Sequence, residues 1–348
     1  MRFTLHSGDC RRVLGTVADA TYDACVTDPP YELGFMGKTW DSSGVAFDPD
    51  TWRAVLRVLK PGAHLLAFGG TRTFHRMTCA IEDAGFEIRD CLSWMYGTGF
   101  PKSLNIGDGR GTALKPAWEP IVLARKPLVG TVAGNVLAHG TGALNIDACR
   151  IALDGESAPT GSGNGNAKSK FSQVANSAGN GGNVTPESGR WPANVVLDDE
   201  AAAALNGQSG VSSSTGGSGA ASRGGLGKRV YGAFANDSTH ANSGGLGDSG
   251  GASRFFYCAK VSPDERGESD HPTMKPVELM RWLVRLVTPP GGTVLDPFTG
   301  SGSTGVAAVR DGFRFVGIEQ DDHYREEIAR PRINAESAQG LLFTEVPK

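Results

Sequence analysis

Thr293-Val294-Leu295-Asp296-Pro297-Phe298-Thr299-Gly300-Ser301-Gly302-Ser303-Thr304-Gly305 is the stretch whose reading decides the fold. Thr293 to Leu295 is a short apolar run that predicts a buried strand. Gly300 to Gly305 follows the pattern G-x-G-x-x-G, and Ser303 to Asp311 has the composition of the helix that should come next. Phe313 to Ile318 is the following strand, and Glu319 ends it with a carboxylate, about 20 residues on, as a nucleotide-binding fingerprint expects. The glycines let backbone approach a ligand closely, and a carboxylate at Glu319 can take both hydroxyls of a ribose.

Two features favour S-adenosylmethionine over NAD as that ligand. Only one strand-helix-strand-helix unit remains after Gly300, too little for a dinucleotide domain, so N-terminal strands must complete the sheet. Asp296 to Thr299 also separate the strand end from the first glycine. In a dinucleotide site the first glycine sits at the strand end. The extra Asp296-Pro297-Phe298 is a loop able to wrap a methionine tail and cover an adenine.

Near the other end of the chain, the apolar run Tyr22-Asp23-Ala24-Cys25-Val26 leads into Thr27-Asp28-Pro29-Pro30-Tyr31. The run predicts a strand, which two prolines then forbid from continuing. A carboxylate, a stiff backbone and an aromatic ring are thereby held at a strand's carboxyl end, where open α/β sheets bind ligands. Such a group suits a flat, amino-bearing ring that stacks on Tyr31 and donates to Asp28 and a backbone carbonyl. Taken alone, the same residues also describe a strand-to-loop turn with a capping aspartate; the glycine loop at the other end favours the site.

Between these motifs, strands and helices alternate as far as residue 127, with strands at Arg2 to Ser7, Tyr22 to Thr27, His64 to Phe68, Phe86 to Tyr96 and Trp118 to Ala124. That is the pattern of a mostly parallel sheet covered by helices on both faces. Glu32 to Phe47, carrying Phe35, Met36, Lys38 and Trp40, reads as a surface loop or as a flap over the site. From 128 to 270 only islands of order are expected, at Leu144 to Ile151, Trp191 to Leu197 and Arg254 to Lys260. Of the 49 glycines in 348 residues, 22 lie between Gly155 and Ser253, a composition that buries little apolar surface. Order returns at Pro276. The net charge of −3 does not advertise a nucleic-acid partner, so any such surface must be local. Six scattered cysteines without a C-x-x-C pair argue against a zinc site or a disulfide framework and fit a reducing cytoplasm. No apolar run is long enough to span a membrane.

With both motifs in hand, the chain resembles the amino-group DNA methyltransferases of the permuted (beta) class. In that class a D-P-P-Y stretch precedes a target recognition region and a D-P-F-x-G-S-G loop comes last. His271-Pro272-Thr273-Met274-Lys275-Pro276 looks like that family's H-P-x-x-K-P element, and Gly8-Asp9 resembles its early acidic cofactor contact. Ser303-Thr304 departs slightly from the family's Thr-Thr. The resemblance covers residues 1–127 and 254–348. It implies an α/β, Rossmann-like S-adenosylmethionine-dependent methyltransferase sheet in circularly permuted order. The division would be 1–127 as the N-terminal catalytic part, 128–270 as an irregular Gly/Ser-rich target recognition region, and 271–348 as the C-terminal catalytic part.

Carried over, Asp28, Pro29, Pro30 and Tyr31 are the expected catalytic residues, without a metal. Asp9, His271, Lys275, Asp296, Pro297, Phe298, Gly300, Gly302 and Glu319 are the expected S-adenosyl-L-methionine contacts, although His271 and Lys275 also read as a surface loop before a helix. Lys38, Trp40, Lys102, Arg110, Lys115, Arg223, Lys228, Arg229 and Arg254 are the expected contacts to double-stranded DNA, with Arg125 and Lys126 nearby in sequence. Each such cation alone is ordinarily a solvated charge. The family tends to place Asp before P-P-Y for adenine and Ser for cytosine, so Asp28 favours N6-adenine over N4-cytosine. RNA or a protein amide as substrate, and a catalytically inactive DNA-binding protein, are the other readings. A homodimer is implied by family analogy alone. No nuclease segment is visible, so a modification enzyme without an obligatory nuclease subunit is expected.

Overall fold

Both faces of the central strands are buried, and that follows directly from their sequences. In the computed structural model, which describes residues 2–33, 43–97, 99, 104, 106–152, 189–213, 248–259 and 274–342, the N-terminal elements alternate as expected. They are β1 (Phe3–Ser7), α1 (Cys10–Leu14), β2 (Tyr22–Thr27), α2 (Pro49–Val58), β3 (Leu59–Phe68), α3 (Phe74–Asp83), β4 (Glu87–Met95) and β5 (Trp118–Arg125). The middle of the chain adds α4 (Val132–His139), β6 (Val195–Asp198), α5 (Asp199–Ser209), the short β7 (Ser212–Ser213) and β8 (Ser249–Gly250), and β9 (Tyr257–Ala259). Last come α6 (Val277–Val287), β10 (Thr293–Asp296), α7 (Ser303–Arg310), β11 (Arg314–Glu319), a π-helical turn (Tyr324–Ala329) and α8 (Arg330–Leu342).

All six residues of β2 are buried. From Ala24 onward its alternate positions feed different cores: Ala24 and Val26 pack with α6 and α7, whereas Cys25 packs with α1, α2 and α3, a core that Tyr22 joins from beyond the register irregularity that precedes Ala24. Leu66 and Phe68 of β3 join the first core, Leu65 and Ala67 the second. A near-continuous apolar run is what a strand covered by helices on both sides requires.

Nine strands form one sheet in the order β1-β11-β10-β2-β3-β5-β4-β6-β9. Every neighbouring pair is parallel except those made by β5, which runs antiparallel to β3 and to β4. The strands from the two ends of the chain do complete a single sheet: β1 pairs with β11 and β2 with β10. The strand order reverses between β10 and β2. In open α/β sheets the crevice outside the carboxyl ends at such a reversal is where ligands bind.

The middle of the chain is better integrated than its composition suggests. β6 and β9, drawn from the region expected to hold only islands of order, extend the sheet beyond β4. α4 was not anticipated. It is capped at its start by Thr131, whose side chain accepts the Gly134 N–H, and ended by Gly140 at φ +76°. α5 was also missed. Asp198 caps it by accepting from the Ala201 N–H, and Asp199 and Glu200 fill its first turn. β3 begins at Leu59 rather than His64, because Leu59 already pairs with Tyr22 before an irregularity in the register.

The sheet therefore continues across residue 127. Asn135 of α4 is fully buried. Its amide donates to the carbonyls of Pro61, at 2.9 Å, and Thr141, at 2.7 Å, and its oxygen accepts the Val129 N–H at 2.9 Å. Removing that amide strands buried backbone groups, and each costs about 1–3 kcal/mol. Asn135→Ala is expected to lower the unfolding free energy by about 2–3 kcal/mol. Leu137→Ala on the same helix, at a side chain 77% exposed, should change it by less than about 0.5 kcal/mol. Urea denaturation of the two variants checks this, and equal effects would show that α4 is not tied to the sheet.

Candidate active site

The two motifs meet because two strands pair. Val294 and Leu295 of β10 lie opposite Ala24 and Cys25 of β2, so the carboxyl ends of both strands open into one crevice. There the Thr27 hydroxyl donates to Asp296 Oδ1 at 2.6 Å, fully buried, and the Phe298 N–H donates to the same oxygen at 3.1 Å. Burial pushes the Asp296 carboxyl from its ordinary 3.8 up to about 7, against the hydrogen bonds from Thr27, Thr304 and Phe298, and the neighbouring charge of Asp28 adds to the rise.

Glu319 closes one side of the crevice at the end of β11. Its carboxylate accepts the Gly300 N–H at 2.8 Å and the Asp321 N–H at 2.9 Å, while its carbonyl accepts the Gly8 N–H at 3.2 Å. Burial holds this carboxyl above its usual range, opposed by those backbone donors. Gly302 sits at φ +80°, where an added Cβ would come within 3.0 Å of the Ala329 backbone, so the loop can turn into α7 only at glycine. Asp9 caps α1 through the N–H groups of Arg11, at 2.9 Å, and Arg12, at 3.4 Å. The Arg11 guanidinium keeps its carboxyl below the usual range. Phe298 is half-buried and rests on Trp52, the ring centroids 6.5 Å apart. Partly accessible carboxylates, a glycine loop and a flat apolar ring are a donor and acceptor set that fits a nucleoside carrying a ribose diol.

Asp28 stands one residue beyond β2. Its Oδ2 accepts the Lys275 ammonium at 2.7 Å. The same ammonium lies 3.4 Å from Glu119 Oε2, which also accepts the Tyr31 hydroxyl at 2.7 Å. Lys275 is only 8% exposed, with Nζ 5.3 Å from the Tyr31 ring centroid and 5.0 Å from that of Phe68, a placement that favours a cation. Asp28 Oδ1 is buried and has no hydrogen-bond partner among the described residues. Burial raises the Asp28 carboxyl, Lys275 pulls it down and Glu119 pushes it up, leaving it above the ordinary range. Burial works against the charge on Lys275, but Asp28 and Glu119 outweigh it and keep the ammonium protonated. Burial, reinforced by both carboxylates, keeps the Tyr31 hydroxyl neutral. Thr73 fixes the backbone here by donating its hydroxyl to the Tyr31 carbonyl at 2.7 Å.

The structure thus brings together Asp28, Pro29, Pro30 and Tyr31 on one side and Asp296, Pro297, Phe298, Gly300, Gly302 and Glu319 on the other. Lys275, expected among the cofactor contacts, lies just before α6 and against Asp28 at the end of β2. Glu119 was missed altogether. It stands at the start of β5, and only the antiparallel direction of that strand brings it level with the carboxyl ends of its neighbours. The same reversal corrects Arg125 and Lys126, which lie at the opposite end of the sheet. Arg125 is buried against Glu87, and the Lys126 ammonium donates to the Leu59 carbonyl at 2.7 Å. Arg254 is also not a free cation for a ligand. It is 8% exposed, donates to Asp248 at 2.9 Å and to the Gly250 and Gly251 carbonyls, and lies 4.2 Å over the Phe255 ring. Arg110 and Lys115 are exposed. Lys38, Trp40, Lys102, Arg223, Lys228, Arg229 and His271 lie outside the described residues, as does most of the expected flap.

A family model described as DNA methylase, of the N6/N4 type, matches residues 22–330. The Type II methyltransferase M2.DpnII of Streptococcus pneumoniae is 45% identical over 73 residues, 21% of this chain and 27% of that protein. The putative methylase YubD of Escherichia coli strain K12 is 50% identical over 58 residues, 17% of this chain and 26% of that protein. The matched stretches span about a quarter of the length of each of these relatives. A putative DNA modification methylase of Thermus thermophilus, solved in complex with S-adenosyl-L-methionine, superposes with a TM-score of 0.46 at 20% identity, covering 96% of this chain and 94% of that one.

The Asp296 carboxyl has a pH signature. Its affinity for a proton is raised on folding, so between about pH 4 and pH 7 the folded chain binds more protons here than the unfolded chain does. Stability from this group is full below pH 4 and falls as pH rises towards 7. Asp296→Asn should remove that contribution, so that the variant gains on the wild type steadily from pH 4 to pH 7.5 in urea-melt midpoints. A difference between the two proteins that does not change with pH would refute the assignment.

Proposed function

The chain belongs to the N6/N4 DNA methylase family whose model spans residues 22–330, and we propose that it transfers a methyl group from S-adenosyl-L-methionine to the N6 amine of adenine in double-stranded DNA. The observation that carries the reading is Asp28. Its Oδ1 is buried without a hydrogen-bond partner among the described residues, one strand away from the Asp296 to Gly302 loop. A buried acceptor of this kind calls for a donor, and an exocyclic amine supplies one.

The lone pair of such an amine is conjugated with its ring and is a weak nucleophile. Asp28 accepting from one N–H, and the Pro29 carbonyl from the other, favour a pyramidal nitrogen and localise the pair. The Pro29-Pro30 backbone keeps that carbonyl in place, and Tyr31 stacks on the base. Asp28 then stabilises the positive charge that develops on the nitrogen, a contribution largest in a site closed to water. The base must leave the duplex first, at a cost of a few kcal/mol, because its amine is otherwise paired. When bound, S-adenosylmethionine supplies an electrophilic methyl on a sulfonium. On this chain Phe298 would pack against its adenine, Glu319 would take the ribose hydroxyls, and Gly300 and Gly302 would let the backbone approach it closely. Asp9 and Asp296 provide carboxylates around it. Positioning two reactants in this way can lower the barrier by up to roughly 7–11 kcal/mol.

Asp28 before Pro29-Pro30-Tyr31 favours adenine. The catalytic part is assigned to residues 1–127 and 271–348 and target recognition to the Gly/Ser-rich remainder, while Arg110 and Lys115, exposed within the N-terminal part, serve as phosphate contacts. The protein acts in the cytoplasm without an obligatory nuclease subunit. Among the described residues, no helix is long and apolar enough to cross a membrane.

Two measurements test this. Unmethylated DNA incubated with the protein and S-adenosylmethionine, digested and analysed by nucleoside mass spectrometry, should yield N6-methyladenine. N4-methylcytosine would keep the site but correct the target, and the absence of both products would defeat the reading. Asp28→Ala should slow transfer by about 1,000-fold or more while cofactor affinity, measured by calorimetry, changes little. Undiminished turnover in that variant would remove Asp28 from the mechanism.

A further inference from the structure

The Lys275 ammonium lies where a donor to Asp28 must go. It sits 2.7 Å from Asp28 Oδ2, beside the Tyr31 ring at 5.3 Å, in a site that buries all but 8% of the residue. A second carboxylate, Glu119, lies 3.4 Å from the same nitrogen and is itself steadied by the Tyr31 hydroxyl. One cation is therefore shared between two carboxylates, and one of them, Asp28, leaves an oxygen without a hydrogen-bond partner among the described residues.

We infer that Lys275 is the placeholder of the target amine: it holds Asp28 ionised and oriented while no base is present, and withdraws onto Glu119 when the base enters. This rests on the reading of Asp28 as the amine acceptor. The physical reason is charge. A buried aspartate alone would take up a proton and lose its capacity as an acceptor. An ammonium kept firmly on Asp28 would instead oppose the positive charge developing on the target nitrogen. A lysine with a second anionic partner meets both demands, because it compensates Asp28 at rest and leaves that carboxylate to the nitrogen during transfer. Interactions that strengthen only as the reaction proceeds are the ones that speed it. Lys275 and Glu119 are thus positioning residues that act through Asp28.

Among the described residues, the groups facing Asp28 are Lys275, Glu119, Tyr31 and, across the strand pairing, Asp296, with Tyr96 near Glu119 and Lys275. Lys275 is the cation in that described set. Burial and Glu119 push the Asp28 carboxyl up and Lys275 holds it down, so the acidic limb of the rate profile should depend on the lysine.

The test uses the full chain, saturating S-adenosylmethionine and a DNA substrate the wild type methylates, with single-turnover rates measured across pH. Lys275→Met should move the acidic limb to higher pH by about one unit or more, a loss of about tenfold on that limb that is recovered as the pH is raised. Lys275→Arg, which keeps the charge, should leave the limb in place. Glu119→Gln should slow transfer about tenfold in the wild-type background and have little further effect beside Lys275→Met, the non-additivity expected of groups that act together. An unmoved limb in Lys275→Met, or a Glu119→Gln effect that simply multiplies with it, would overturn the inference. Wild-type protein that methylates no DNA would instead defeat the reading of Asp28 on which it depends.

Discussion

The parallel pairing of β2 with β10 is the constraint on which the rest of this structure depends. The two strands come from opposite ends of the chain, and their contact places Thr27 and Asp296 within hydrogen-bonding distance, 269 positions apart. The strand order reverses at this pairing, so the loops that leave the two carboxyl ends diverge and a crevice opens between them. Neither loop is a site by itself. The aspartate-proline turn offers a carboxylate and an aromatic ring, and the glycine loop offers close backbone approach. Only the pairing makes them two walls of one space.

That arrangement brings acidic groups together in a buried place, which is costly unless their charge is compensated. The structure answers in two ways. Asp296 has a proton affinity raised to near neutrality, with hydrogen bonds from Thr27 and Phe298 around it. Asp28 and Glu119 share the Lys275 ammonium. Beside that shared ammonium, Asp28 Oδ1 is a buried acceptor without a hydrogen-bond partner among the described residues. An unsatisfied buried acceptor is a stability cost that persists where a function uses it.

The middle of the chain shows how composition can mislead. Glycine, serine and asparagine dominate 155–253, yet the islands of order expected at Trp191 to Leu197 and Arg254 to Lys260 supply the strands β6 and β9 that extend the sheet. α4 and α5 carry ordinary start and stop signals, Thr131 and Gly140 for the first, Asp198 and two acidic residues for the second. Those caps were legible, and were passed over because the surrounding stretch reads as low in complexity. The contact that ties this region to the core could not have been seen in the same way. The Trp282 indole donates to the Cys149 carbonyl at 3.3 Å, and the Asn145 N–H to the Leu286 carbonyl at 2.8 Å, both over more than 130 positions of sequence.

What the sequence by itself determined is local. Apolar runs bounded by Gly and Pro gave away the buried strands, because a strand covered on both faces must be apolar throughout. Two prolines after Asp28 and the glycines after Phe298 marked where strands had to stop and backbone had to turn. Glu319 was readable from its spacing behind the glycines. The tertiary structure alone decided direction and partnership. Nothing in Trp118-Glu119-Pro120 says that β5 runs against its neighbours, yet that reversal carries Glu119 into the site and takes Arg125 away from it. Lys275 was expected at the cofactor and Arg254 at DNA. Each is instead buried on a carboxylate, Asp28 for one and Asp248 for the other, because charge pairing depends on distance in space, which the order of residues along the chain does not contain.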